Sequence, residues 1–394
     1  MENNRLSRAQ VILMAVAAGV SVANIYYNQP ILSDIASSLH MKETEAGSIA
    51  VLSQTGYGLG LFFLIPLGDK VNRKRLVLVL LSALVLFLLF TSFSASAWQI
   101  QLTSLFVGFL SVSAQIILPM AATLNKSTRG KTLGTIFSGI LIGILAARVF
   151  SGYIAHWLNW RYVYGISAAL VLVIDVLMYF FLPTIKSEFA GNYVQLMKST
   201  VQQITRFALL RQSAFIGALV FGLFCSFWTT LTFHLSGAPF YYQSDTIGLL
   251  GFVAIGGALL APTLGKLADK GNAVKALLVA VGFIIISILL MMLFPNAAIS
   301  FVAAVLLLDV GAQAIQVTNI ASIYTLDETA HSRINTIYMT SYFIGGALGT
   351  TAGLWCWQQG GWQWVTLQML LWACLASAII VLSRKRRNAV FKMG

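Results

Sequence analysis

The stretch "PLGDKVNRKR", Pro66 to Arg75, sets four cations and one acid, Asp69, between two long apolar runs. A related stretch, "LGKLADKGNAVK" from Leu264 to Lys275, returns later, with Asp269 lying 200 positions after Asp69. Charge is scarce elsewhere: of 394 residues 9% are charged and 58% are hydrophobic, against roughly 25% charged in soluble domains. That composition belongs in a lipid bilayer. A helix needs about 20 mostly apolar residues to cross a hydrocarbon core of about 30 Å, and it must satisfy its own backbone hydrogen bonds there. The apolar runs have that length and lack strand-like alternation, so they read as helices.

Apolar runs fall near residues 11–35, 45–67, 76–95, 98–124, 132–154, 161–182, 213–236, 246–264, 276–294, 297–322, 334–356 and 362–383, which makes twelve spans. The first is too long, and too polar at its far end, for a cleaved signal peptide. With the amino terminus inside, all of the 25 Lys and Arg residues except Lys42, Arg148 and Arg161 fall in cytoplasmic segments or the tail. This asymmetry predicts that both termini are cytoplasmic, and it accounts for the net charge of +13 without nucleic acid. Cys225, Cys356 and Cys374 sit in apolar runs without metal-ligand spacing, so free thiols and no metal site are expected.

The longest non-apolar segment, about Pro183 to Gln212, contains "YVQLMKSTVQQITRF", which predicts a surface helix with Leu196, Val201 and Ile204 facing lipid. It divides the chain into a six-helix unit at 1–182, a central loop at 183–212 and a second six-helix unit at 213–394 with a short basic tail. Both charged stretches then join the second and third spans of their own half. "NWRYV" (Asn159 to Val163) and "GWQWV" (Gly361 to Val365) likewise open spans six and twelve, with Trp160 and Trp362 separated by 202 positions. Matched halves of this kind point to a transporter built as paired bundles around a midplane site.

With these landmarks the chain resembles the major facilitator superfamily over nearly its whole length. The family's loop signature runs G-x-L-x-D-[RK]-x-G-[RK]-[RK]. Gly265, Leu267, Asp269 and Lys270 match it in the second half, and Leu67, Asp69, Lys70, Arg73 and Lys74 in the first, while Ile65, Asn72 and Asn272 replace glycines. The resemblance implies an all-α membrane fold of twelve transmembrane helices in two pseudo-symmetric six-helix bundles. It also implies gating loops at Asp69, Lys70, Arg73, Gly265, Asp269 and Lys270 that latch the halves in one state. On physical grounds an aspartate at such a helix end caps backbone N–H groups, while the cations stay in water or meet anionic lipid.

Span five, "SGILIGILAARVFSGYIAHW", carries a small-residue face of Gly139, Gly143, Ala146, Ala147 and Gly152, which permits close helix contact. It resembles the fifth-span motif of the drug-proton antiporter branch, with Arg148 following where a Gly-Pro pair is usual. Span eleven holds a paler copy in Gly345, Gly346, Gly349 and Gly353. More narrowly, "ANIYYNQPILSDIA", "AQIILPMAA", "FWTTLTFHL" and "SRINTIYMTSYFIGGALG" resemble a bacterial subgroup of efflux permeases. The resemblance favours export over uptake.

Ionisable residues inside spans cost about 2.5–3.5 kcal/mol each at a helix centre, so each calls for a partner or a hydrated cavity. Asp309 lies 12 residues into span ten. In the family fold spans one, four, seven and ten line the central cavity, which makes Asp309 the first proton-coupling candidate. Arg148 and Asp34, both towards the outer face on neighbouring spans, are the other proton-coupling candidates: a pair between them would neutralise two costly charges and could close the outer side, the alternatives being a purely structural pair or separate snorkelling. Asp175, on the peripheral span six, reads as structural, and His234 as a packed histidine. Span one turns polar and aromatic through Asn24, Tyr26, Tyr27, Asn28 and Gln29 before Pro30, which can kink it. From the four cavity helices the substrate-pocket candidates are Asn24, Tyr27, Asn28, Gln29, Gln115, Trp228, Thr232, Gln313, Gln316 and Asn319. Proton-coupled relatives usually carry an arginine in span four where this chain has Ser104.

The expected function is therefore a secondary active transporter that exports a small organic molecule (drug, sugar or metabolite) across the inner membrane by alternating access, in exchange for protons. Proton-symport uptake or facilitated diffusion is the alternative. One proton falling through about 100 mV yields about 2.3 kcal/mol, enough for roughly a 50-fold gradient. An enzyme is not expected: His40, His156, His234 and His331 are scattered, no H-E-x-x-H or phosphate-cradling loop occurs, and no nucleophile has an evident base. A sensor would need an output domain, and the sequence ends soon after "SRKRRN". No cofactor is expected beyond a proton gradient. The expected partners are a small-molecule substrate and the lipid bilayer, with no nucleic acid, and the functional unit is expected to be a monomer.

Overall fold

The computed structural model describes residues 6–124, 129–183, 192–254, 256, 273–327 and 330–384, the side chains of Asp69, Ala122, Thr123 and Arg129 excepted. Gly265, Asp269 and Lys270 of the second charged loop lie outside the described residues.

The first half comprises α1 (Arg8–Ala23), α2 (Leu32–Leu39), α3 (Glu43–Leu64), α4 (Leu67–Lys70), α5 (Arg73–Ser92), α6 (Ala97–Leu110), α7 (Ser113–Leu124), α8 (Arg129–Trp157) and α9 (Trp160–Phe181). After the intervening α10 (Tyr193–Arg206) come α11 (Ala208–Ser236), α12 (Ser244–Ala254), α13 (Ala273–Leu293), α14 (Ala298–Tyr324) and α15 (His331–Leu382). Helix occupies each of the twelve apolar runs, the eighth being described only at α12. α15 holds spans eleven and twelve, parted at Gly360 and Gly361, where Gly361 takes φ 61°, a backbone conformation that glycine adopts without a Cβ clash.

Two spans are broken where their sequence cannot sustain a straight helix. Span one stops at Ala23 and resumes at α2 after a tight turn at Gln29–Ile31, where Pro30 supplies no N–H. Span four bends at Ser111, whose Oγ donates to the Val107 carbonyl at 2.6 Å, a serine back-bond of the kind that bends helices. The cap of span three also differs from the expectation. Asp69 sits inside α4, and Asn72 is the residue that caps α5, its Oδ1 accepting from the Arg75 N–H at 3.2 Å. The departure from the family's glycine at Asn72 thereby has a physical use, since asparagine is among the best N-caps.

The small-residue faces of spans five and eleven are packed as the sequence suggests. Gly139 of α8 meets the Ala15 backbone and Gly143 meets Gly19, while Gly345 of α15 meets Ala218 and Gly349 meets Gly222. In lipid there is little hydrophobic drive between helices, so such backbone approach supplies dispersion contacts instead. Phe90, Phe180 and Leu293 stand outward, 60–70% exposed, where acyl chains would cover them.

The halves meet through equivalent positions. Thr232 Oγ1 donates to the Gln29 carbonyl at 2.6 Å, and Ser33 Oγ lies 2.8 Å from Ser236 Oγ. Each pair is 203 positions apart, close to the 202 between Trp160 and Trp362, so these contacts lie near the pseudo-two-fold relating the repeats. α10 lies across the junction of α11 and α15. Val201 and Ile204 face outward as expected, but Leu196 is turned into the protein together with Thr200 and Gln203. The reason is geometric: the Tyr193 hydroxyl donates to the Phe63 carbonyl at 2.7 Å and Arg206 pairs with Asp327 at 2.7 Å, which fixes the rotation of the helix.

Candidate functional site

A cavity of about 710 Å³ lies between the two halves. It runs from Gly68 and Arg73, beside the first charged loop, past Tyr324, His331 and Ser332 at the α14–α15 junction, to Arg148 and Asp309 in the interior. Arg73 donates from Nε to the Gly68 carbonyl at 2.9 Å, and Lys74 from Nζ to the Leu182 carbonyl at 2.6 Å. Beyond Arg148 the halves close on each other through Gln29–Thr232 and Ser33–Ser236, through Thr350 donating to Gln54 Oε1 at 3.1 Å, and through Trp357 donating to Glu43 Oε2 at 2.7 Å. Among the described residues the cavity is thus reached from the end bearing the first cationic loop and sealed at the other.

Arg148 is 1% exposed although it lines this cavity. Its Nε donates to Gln29 Oε1 at 2.8 Å, and its guanidinium lies 3.9 Å from the Trp228 ring centroid, with Tyr26 at 5.3 Å. Stacking a delocalised cation on an indole offsets part of its desolvation. Nη1 and Nη2 have no hydrogen-bond partner among the described residues. Asp309, also 1% exposed, lines the same cavity from α14, and its Oδ2 is likewise without a partner.

The candidate pair between Arg148 and Asp34 is not formed. The break in span one raises Asp34 to α2, beyond the level of Arg148, and leaves Gln29 opposite the guanidinium. Asp34 instead has Ser244, His156 and Asp245 as electrostatic neighbours, with His156 Nε2 3.9 Å from Asp245 Oδ2 across the two halves. Asp175 accepts from Ser82 Oγ at 2.6 Å and links α9 to α5, the structural place expected of it. His234 is packed too, stacked on Trp362 at 4.5 Å with its Nε2 3.0 Å from the Pro295 carbonyl.

The ten pocket candidates divide. Gln115, Gln313 and Gln316 line the cavity. Gln29, Trp228 and Thr232 build the wall behind Arg148 and the junction of the halves. The other four do not face it. Asn24 accepts from Ser167 at 2.7 Å and Asn28 donates to Ser53 at 3.3 Å. Tyr27 packs on Phe150, and Asn319 donates to the Ser213 carbonyl at 3.3 Å. The reason is helical phase: a helix presents only a stripe to the cavity, and polar neighbours off the stripe satisfy the backbone and side chains of adjacent helices. Tyr26, not Tyr27, is on that stripe. Sequence reasoning also missed Tyr57 on α3 and Phe221, Phe224, Tyr342 and Phe343 on α11 and α15. Tyr342 stacks on Phe221 at 4.0 Å and Tyr57 lies 4.3 Å from Phe343, so they form a continuous aromatic wall. Among the described residues no group of His, Cys, Asp or Glu is arranged to hold a metal ion.

Two pseudo-symmetric sets of spans around a central cavity are matched by sequence comparison. A family profile, Major Facilitator Superfamily, matches residues 14–350. The chain belongs to the major facilitator superfamily. Across 381 residues, covering 96% of this chain and 95% of the relative, the transporter is 37% identical to a protein of Escherichia coli O157:H7 named "Uncharacterized transporter YgaY". It is 22% identical over 351 residues to a Helicobacter pylori (strain P12) protein named "Probable sugar efflux transporter", with 87% of each chain covered. Among solved structures, a bacterial homolog of the human lysosomal transporter Spinster superimposes with a TM-score of 0.71 at 13% identity, covering 98% of this chain and 97% of that one. The likeness of that structure concerns the fold. The protein is a multi-pass membrane transporter of the facilitator fold, embedded in a lipid bilayer.

Proposed function

We propose that this transporter exports a small organic solute across the bacterial inner membrane by alternating access, in exchange for protons carried by Asp309. The observation that carries the reading is the buried Asp309, its Oδ2 without a partner, lining a cavity that among the described residues is open at one end and closed at the other. By the positive-inside rule the open end, with Lys70, Arg73, Lys74 and Arg75, is cytoplasmic, which corresponds to an inward-facing state with both termini inside. Rocking of the halves would then expose the cavity to the other side by opening the Gln29–Thr232 and Ser33–Ser236 contacts and closing the Arg73 end. The sugar efflux name of a relative supports export as the direction. The first charged loop, with Asp69, Lys70 and Arg73, would act at the closing end.

The test is flux in inverted vesicles, with and without an imposed proton gradient, of labelled drugs, sugars, nucleosides and amino acids, comparing wild type with Asp309→Asn. Gradient-driven accumulation in the wild type, lost in the variant, is the expected result. Transport indifferent to both the gradient and the substitution would make the protein a facilitator and return Asp309 to a structural role.

A further inference from the structure

The two buried charges of the cavity are near enough to feel each other yet do not touch. Arg148 and Asp309 are electrostatic neighbours, with Tyr26 and Cys225 also neighbours of Arg148, and Tyr26 and Tyr342 of Asp309. Nevertheless Nη1 and Nη2 of Arg148 and Oδ2 of Asp309 are all buried without a partner, and all belong to residues lining one cavity. An unpaired buried charge costs several kcal/mol, so a separated pair of opposite charges is a site in want of a ligand.

Three ligand chemistries can be weighed. A cation would satisfy Asp309 and leave the guanidinium fork bare. An anion would satisfy the fork and leave Asp309 bare. A molecule with both groups satisfies both: a carboxylate matches the two free nitrogens of an arginine in bidentate geometry, and an ammonium matches a carboxylate. The remaining walls include Tyr26, Phe221, Phe224 and Tyr342 beside Gln115, Gln313 and Gln316, so most of the lining favours an apolar or aromatic body, and the volume suits a molecule of amino-acid to short-peptide size. From this complementarity we infer that the transported solute is a zwitterion with an apolar or aromatic side group, its carboxylate held by Arg148 and its ammonium by Asp309. The inference rests on the reading of the cavity as the transport site. It also gives exchange a mechanism, because a proton and the ligand's ammonium compete for the same Asp309 carboxylate.

The experiment uses the full chain in lipid nanodiscs and four probes: L-phenylalanine, its amide (ammonium only), N-acetyl-L-phenylalanine (carboxylate only) and the uncharged N-acetyl amide. Binding is read by calorimetry. The zwitterion should bind at least tenfold more tightly than either singly charged probe. Arg148→Gln should erase the advantage over the amide and keep that over the N-acetyl acid, and Asp309→Asn should do the reverse. Arg148→Lys, which keeps the charge without the fork, should retain part of the affinity and covers the case in which Arg148→Gln does not fold. A singly charged probe binding as well as the zwitterion would overturn the inference. So would advantages that survive both substitutions, or no binding of any probe. Failure of the underlying reading is separately visible: Phe221→Ala and Gln313→Leu would then leave the flux of every transported solute unchanged.

Discussion

Loosening the sealed end of the cavity should shift the transporter between its two states by a calculable amount. Side-chain hydrogen bonds that cross between the halves there include Thr232 to the Gln29 carbonyl at 2.6 Å, Ser33 with Ser236 at 2.8 Å, and Thr350 to Gln54 at 3.1 Å. Thr232→Val, Ser236→Ala and Thr350→Val remove one partner of each while nearly preserving volume. A net hydrogen bond contributes about 0.5–1.5 kcal/mol, so the triple variant should destabilise the seal by about 3 kcal/mol. That is roughly a 100-fold change in the ratio of sealed to open forms, enough to bring a 99% sealed population to about half. The assay is labelling of Gln313→Cys, which lines the cavity, in a chain with Cys225, Cys356 and Cys374 replaced. A membrane-impermeant maleimide is applied from the side away from Arg73. The rate should rise between tenfold and 100-fold over the parent chain. An unchanged rate in a folded triple variant would refute the assignment of these contacts as the seal.

Two glycines of one helix should respond oppositely to alanine. A Cβ at Gly143 would lie 2.6 Å from the Gly19 Cα, whereas at Gly134 nothing lies within 4 Å, so Gly143→Ala should cost about 1–3 kcal/mol and Gly134→Ala should stabilise by up to about 1 kcal/mol. Thermal melting in detergent checks the pair, and equal shifts would contradict the packing of α8 on α1. At the start of span three, Asn72→Ala should lower stability by about 1 kcal/mol and Asn72→Gly, restoring the family's residue, by only a few tenths. Melting curves showing the two variants alike would remove the capping role. Asp175→Asn keeps an acceptor for Ser82 and should leave transport within about twofold of wild type, a flux measurement that a direct role for Asp175 would not survive.

The architecture was legible because lipid imposes it. Twelve apolar runs, the side bias of Lys and Arg, and the repeated landmarks at Asp69 and Asp269 and at Trp160 and Trp362 are one-dimensional records of the bilayer and of the duplication. The place of Asp309 was legible for a related reason: a carboxylate in the middle of a span is costly enough to call for a partner or a hydrated cavity, and Asp309 lines one. The pocket was half legible. Gln115, Gln313 and Gln316 were found by polarity, but Asn24, Tyr27, Asn28 and Asn319 carry the same polarity and serve neighbouring helices. The aromatic wall from Tyr57 to Tyr342 was illegible, since an aromatic residue in a span reads equally as lipid-facing, packed or cavity-facing until its helix is rotated into place.

Sequence alone therefore determined the class, the twelve-span repeat, the family and the residues whose burial demands a reason, because hydropathy, charge asymmetry and duplication are properties of the order of residues. Tertiary structure decided the partners. A break of a few residues around Pro30 carried Asp34 past Arg148 and put Gln29 in its place, so that Arg148 and Asp309 line one cavity without Asp34. A helix advances about 1.5 Å and turns about 100° per residue, so a local departure from helical geometry reassigns every contact beyond it, and no composition records that shift.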